Sequence, residues 1–138
     1  MKILKNIALT AGLSALLGSL TVSAQSLKEV ATVPFDYSVG QQSMPSGKYT
    51  IAEASATRGI FTISEQASGH STFVSAIPNS TSRNGESKLV FGCYAGQCSL
   101  REIWISGDSY KLAAKPLPRE ANNNLGVVAM VSVPLLSR

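Results

Sequence analysis

Cys93 and Cys98 are the only cysteines of the chain, and four residues separate them in the stretch FGCYAGQCSL. Thiols so close can hold a metal, exchange disulfides or simply form one. The spacing is not the C-x-x-C of a thioredoxin-like redox pair. A zinc site needs four ligands as a rule, and two cysteines with the single histidine, His70, supply three at most. No metal and no other cofactor is therefore expected. His70 lies in ASGHST, and a catalytic imidazole would need a carboxylate to orient it and a nucleophile within reach. No G-x-S-x-G nucleophile elbow occurs in the chain. The carboxylates Glu29, Asp36, Glu53, Glu65, Glu86, Glu102, Asp108 and Glu120 are scattered, and nothing in their spacing favours the facing pair of a glycosidase. Asn79-Ser80-Thr81 matches a glycosylation acceptor, which is read as accidental. The remaining side chains with binding chemistry are aromatic: Tyr94 between the cysteines, Trp104 and Tyr110. They are expected to form an exposed strip able to stack on a glycan or an envelope protein.

The segments that must position these groups read as strands. TVPFDYSVG sends Val33, Phe35, Tyr37 and Val39 to one face and Pro34, Asp36 and Ser38 to the other. A turn at Pro45 and Gly47 follows, and Tyr49 and Ile51 resume the alternation, so a hairpin is predicted. GIFTIS and STFVSAI predict a second hairpin across EQASGH. Pro78 to Ser87, PNSTSRNGES, holds no apolar residue and is predicted to be a solvated loop. KLVFGC and CSLREIWI flank the cysteine loop, which places Cys93 and Cys98 across the first rung of a third hairpin. Beyond Gly107 the periodicity fades, and KPLPREANNN reads as irregular connection. VVAMVSVPLL is apolar nearly throughout and predicts a last, central strand buried on both faces.

Strand signals recur at intervals of roughly 8 to 15 residues, and no helical stripe competes with them. The expectation is an all-β, single-domain antiparallel β-sandwich of about seven strands, with a small barrel as the alternative. An outer-membrane barrel fits less well, because its strands need about 9 to 11 residues and aromatic girdles.

The chain opens with Lys2 and Lys5, continues through the apolar run Ile7 to Leu20 and reaches small residues at Val22, Ser23 and Ala24. This is the three-part pattern of a secretory signal peptide, residues 1–24, cleaved near Ala24. The run is shorter than the roughly 20 apolar residues of a membrane-spanning helix. Residues 25–138 are then a single secreted β domain with no membrane span, periplasmic or extracellular. An export signal and an even cysteine count make Cys93–Cys98 an expected disulfide. The formal net charge is +4, of which Lys2 and Lys5 supply two, so the exported domain is too weakly basic to imply nucleic acid as a partner.

VPFDYSVGQQSMPSGKYTI and KLVFGCYAGQCSLREIWISG resemble the two core hairpins of a group of small secreted proteins abundant in acidobacterial genomes and without an assigned function. Phe35, Val39, Gly40, Met44, Pro45, Gly47, Tyr49 and Ile51 carry the likeness in the first segment. Lys88 to Phe91, Leu100, Ile103 and Trp104 carry it in the second. The resemblance implies an all-β secreted domain and brings no catalytic residue with it. The functional expectation is a secreted, non-enzymatic β domain with a structural or binding role in the cell envelope or extracellular space. The alternative is a glycan- or envelope-partner-binding module using the aromatic strip, and a hydrolase built around His70 is the third reading.

Overall fold

The computed structural model describes residues 28–54, 57–113 and 129–137. The expected signal peptide and the KPLPREANNN segment lie outside the described residues. Among those described there are eleven strands and no helix: β1 (Lys28–Val33), β2 (Tyr37–Val39), β3 (Gln42–Met44), β4 (Gly47–Glu53), β5 (Ile60–Glu65), β6 (Ser71–Thr81), β7 (Lys88–Tyr94), β8 (Gln97–Ile105), β9 (Asp108–Leu112), β10 (Ala129–Pro134) and β11 (Leu136–Ser137). The all-β expectation holds. Hydrogen bonds run along one path, β10-β7-β8-β9-β6-β5-β4-β1-β11, with β2 and β3 alongside β8, and the path does not close into a barrel.

The path folds over into two layers because several segments change partners. β6 pairs with β5 through Ser71 to Ser75 and with β9 from Ala76 onward, so it belongs to both layers. The predicted first strand is in fact two. Pro34 has no N–H to give to a ladder, and the chain leaves β1, which pairs with β4, to enter β2, which pairs with β3 and, in parallel, with β8. The alternation survives the break: Val33, Tyr37 and Val39 are buried and Phe35 packs against the core. The backbone N–H of Ser46 donates to Asp36 Oδ1 at 2.8 Å, which ties the outgoing crossing to the returning one. The predicted hairpin is thus β1–β4 with the small hairpin β2–β3 inserted in it.

Apolar side chains from both layers meet in one core. Phe61 of β5 lies edge-on to Tyr110 of β9 at 4.9 Å between ring centroids, and Tyr49 of β4 lies edge-on to Tyr37 of β2 at 5.3 Å. Edge-to-face pairs match the positive rim of one ring to the negative face of the other.

Three further differences from the sequence expectations have physical causes. Pro78 to Thr81 continue β6 rather than opening a loop, since Ser80 and Thr81 pair with Ser109 and Asp108 and a bulge between Pro78 and Ser80 absorbs the proline. Hydroxyl bonds hold this strand pair where no apolar pattern announces it. β9, Asp108–Leu112, was not expected. It follows a two-residue turn in which Ser106 and Gly107 both have positive φ, 48° and 90°, as tight hairpin turns require. Finally, β10 is not a central strand among the described residues: there it pairs with β7 alone, and Met130 is exposed while Val133 is buried.

The cysteine hairpin is β7–β8. Ala95 and Gly96, both with positive φ, make its turn. Tyr94 faces Gln97 on the first rung, and Cys93 faces Cys98 on the second, joined by a disulfide at a Cα separation of 4.0 Å. That separation is the close spacing of opposed residues in antiparallel strands. Closing so short a loop restrains the unfolded chain little. Replacing both cysteines by serine is expected to keep the fold and lower stability by about 2 kcal/mol, read as a lower thermal midpoint. Two titratable thiols in the native protein would contradict the pairing.

Candidate functional site

The structure separates the three aromatic residues of the expected strip. Tyr110 is 4% exposed and packs inward on Phe61, so it cannot join an exposed strip with Tyr94 and Trp104. Its place on β9 opposite Ile103 puts it on the core face, a register not readable from a stretch of weak periodicity. Tyr94 and Trp104 stand near opposite ends of the β7–β8 hairpin, six residues along β7 from one rung to the other, or about 20 Å at strand spacing. Trp104 is also engaged. Its indole N–H donates to Glu102 Oε2 at 3.0 Å, and the Lys88 ammonium sits 5.0 Å from its ring centroid while pairing with Glu86 at 3.1 Å. A ligand stacking on this ring would have to displace a cation that already occupies it.

His70 is exposed in the β5–β6 turn. Its Nε2 is 2.7 Å from the side-chain amide nitrogen of Gln42. The carboxylate nearest in sequence, Glu65, accepts instead from the Ser68 hydroxyl, which in turn accepts from the His70 backbone N–H. The imidazole is held by an amide and not by the acid a general base needs. Among the described residues, no group of three or more His, Cys, Asp or Glu side chains is placed to hold a metal ion.

What the fold does assemble is a recess of about 200 Å³ between the turn joining β4 to β5, which carries Arg58, and the paired ends of β6 and β9. Pro78, Ser80, Thr81, Asp108 and Tyr110 line it. The β6 bulge re-aims the residues after Pro78, a common use of bulges beside binding sites. Three hydrogen bonds lock the wall. Ser109 Oγ accepts from the Ser80 N–H at 3.0 Å, lies 2.9 Å from Ser80 Oγ and donates to the Ser80 carbonyl at 3.1 Å. The buried Ser109 hydroxyl, bonded to the Ser80 N–H, hydroxyl and carbonyl, links the two strands, and among the described residues no His, Asp or Glu side chain is hydrogen-bonded to it. The Thr81 hydroxyl donates to Asp108 Oδ1 at 3.2 Å. The turn is fixed as well: Glu53 accepts from the Gly59 N–H at 3.1 Å, and the Ala76 N–H donates to the Gly59 carbonyl at 2.7 Å. Burial pushes the Tyr110 phenol above its ordinary range; Glu53 adds to the push and Arg58 opposes it. The site is therefore polar, stiff and close to charge-balanced. Tyr110, Asp108 and the Asn79-Ser80-Thr81 stretch, each noted in the sequence for a different reason, all reach it. No local signal joins Arg58, Ser80 and Asp108, because the turn and strands that gather them are far apart in the chain.

A second polar feature lies at the other margin of the core. Glu29 is buried on β1, where it follows the inward alternation of Ala31 and Val33. Its Oε1 accepts from the Ser87 hydroxyl at 3.1 Å, and Ser87 Oγ accepts from the Ser106 N–H at 2.9 Å. Its Oε2 has no partner among the described residues. Burial pushes the carboxyl above its ordinary value of 4.5, and the Ser87 bond offsets this only in part. A folded-state value above the unfolded one means that folding favours the protonated acid. The contribution to stability is full below pH 4.5 and is lost as pH rises through the folded value. Glu29→Gln is thus expected to raise the urea midpoint at pH 7 and to narrow its difference from wild type at pH 4. An equal destabilisation at both pH values would refute this assignment.

No family model, curated protein or solved structure matches the chain.

Proposed function

We propose that the protein is a secreted, non-enzymatic β domain that works by binding a partner in the periplasm or outside the cell. One observation carries the reading: the recess gathers the Arg58 guanidinium, the Asp108 carboxylate and the Ser80 and Thr81 hydroxyls, with Asp108 and Ser80 held by hydrogen bonds to Thr81 and Ser109. Preformed polar groups of this kind orient a ligand without reorganisation. The Cys93–Cys98 disulfide supports export, since such bonds persist in oxidising compartments. The signal-like residues 1–24 and the resemblance of both hairpins to small secreted acidobacterial-type proteins point the same way.

The test is capture from envelope extract by the exported, disulfide-intact domain, compared with Arg58→Met, Asp108→Asn, Tyr94→Ala and Trp104→Ala. Loss of the retained component in the first two variants, with retention in the last two, is the expected pattern. Loss in Tyr94→Ala and Trp104→Ala alone would move the site back to the β7–β8 surface. Indifference of every retained component to all four would remove the binding reading.

A further inference from the structure

The recess is specific enough in size and charge to name a ligand class, an inference that rests on the binding reading above. Its volume of about 200 Å³ falls below the roughly 300–1,000 Å³ of pockets for drug-sized molecules. The occupant is accordingly one small ring or a terminal unit of something larger. Arg58 brings one positive charge and Asp108 one negative charge to the lining, and the Glu53 carboxylate is close enough to raise the Tyr110 phenol. An anion would meet the Asp108 carboxylate, which offsets the single guanidinium of the lining. A metal ion would find too few acidic ligands among the described residues.

We propose that the recess binds a single ring of a neutral saccharide. Each hydroxyl of a sugar ring both donates and accepts, and neighbouring hydroxyls suit planar groups able to make two bonds at once. Asp108 supplies the acceptor, since Thr81 takes Oδ1 and leaves Oδ2 facing no partner among the described residues. The Arg58 fork supplies donors, and the Ser80 and Thr81 hydroxyls can take either role. The Pro78 ring and the edge of Tyr110 provide apolar wall for the C–H face of the sugar. The Ser80–Ser109 bonds and the Gly59 contacts hold both sides in place before the ligand arrives.

Ligand-observed saturation-transfer NMR on the exported, disulfide-intact chain tests this, using methyl glycosides of glucose, galactose, mannose and N-acetylglucosamine at millimolar concentration, with inorganic phosphate and calcium chloride as competitors. At least one neutral glycoside is expected to bind, neither competitor displacing it. Asp108→Asn should weaken it about tenfold, the scale of losing a hydrogen bond to a charged group, with an unchanged thermal midpoint. Displacement by phosphate, binding indifferent to Asp108→Asn and Arg58→Met, or no binding of any glycoside overturns the saccharide assignment. If an envelope component is still captured in a recess-dependent way, the binding reading stands without the sugar; if nothing is, both fall.

Discussion

Phe91→Ala is expected to lower the unfolding free energy by about 3–5 kcal/mol, the usual cost of emptying a fully buried aromatic site. Phe91 of β7 is 0% exposed, and the rings of Phe35 and Tyr37 each lie edge-on to it at 5.0 Å. Those two residues come from the segment in which the chain passes from β1 to β2. Truncation therefore leaves a void where the crossing strand is anchored. Against a typical total of about 5–15 kcal/mol, a single such loss takes much of the available stability. Phe73→Ala is the matched control: the same side chain on β6 is 76% exposed, and its removal should change stability by no more than about 0.5 kcal/mol. Urea unfolding of both variants measures the contrast. Equal effects at the two positions would mean that the core does not sit where the two layers place it.

The second large effect concerns backbone. Gly59→Ala is expected to cost about 3 kcal/mol, combining the 1–2 kcal/mol of a left-handed conformation for an L-residue with the roughly 1–3 kcal/mol of forced displacement in a packed site. Gly59 has φ +82°, and a Cβ there would lie 2.3 Å from the carbonyl oxygen of Ala76. That oxygen belongs to backbone, so relief requires moving β6 away from the turn that carries Arg58. Gly40→Ala shares the positive φ, +59°, but meets nothing within 4 Å. It should show the conformational cost alone, about 1–2 kcal/mol. Thermal melts separate the two, and because the turn lines the recess, Gly59→Ala should also weaken the binding proposed there. A Gly59→Ala protein as stable as Gly40→Ala would remove the close approach of the turn to β6.

Much of the strand content was legible because side-chain alternation is local. Val33, Tyr37 and Val39 could be assigned to the core, and β5–β6 and β7–β8 could be paired, since each pair is joined by a short polar or glycine-containing turn. β9 and the far end of β6 were not legible. Ser80 and Ser109 are held by hydroxyl bonds across 29 positions of chain, and those residue types read as a loop when taken alone. Glu29 escaped for a related reason: it occupies an inward position of β1, where a charged residue reads as outward.

The sequence by itself determined which face of each strong strand is apolar, that two hairpins close tightly, and that Cys93 and Cys98 meet across one of them. All three follow from geometry within a dozen residues. The tertiary structure alone decided that β1 and β2 part at Pro34, that Tyr110 turns into the core while Trp104 turns out, and that Arg58 faces Ser80 and Asp108 across a recess. Periodicity tells a side chain in from out, but strand partners depend on which edges remain free once the others have paired, and that is a property of the whole chain.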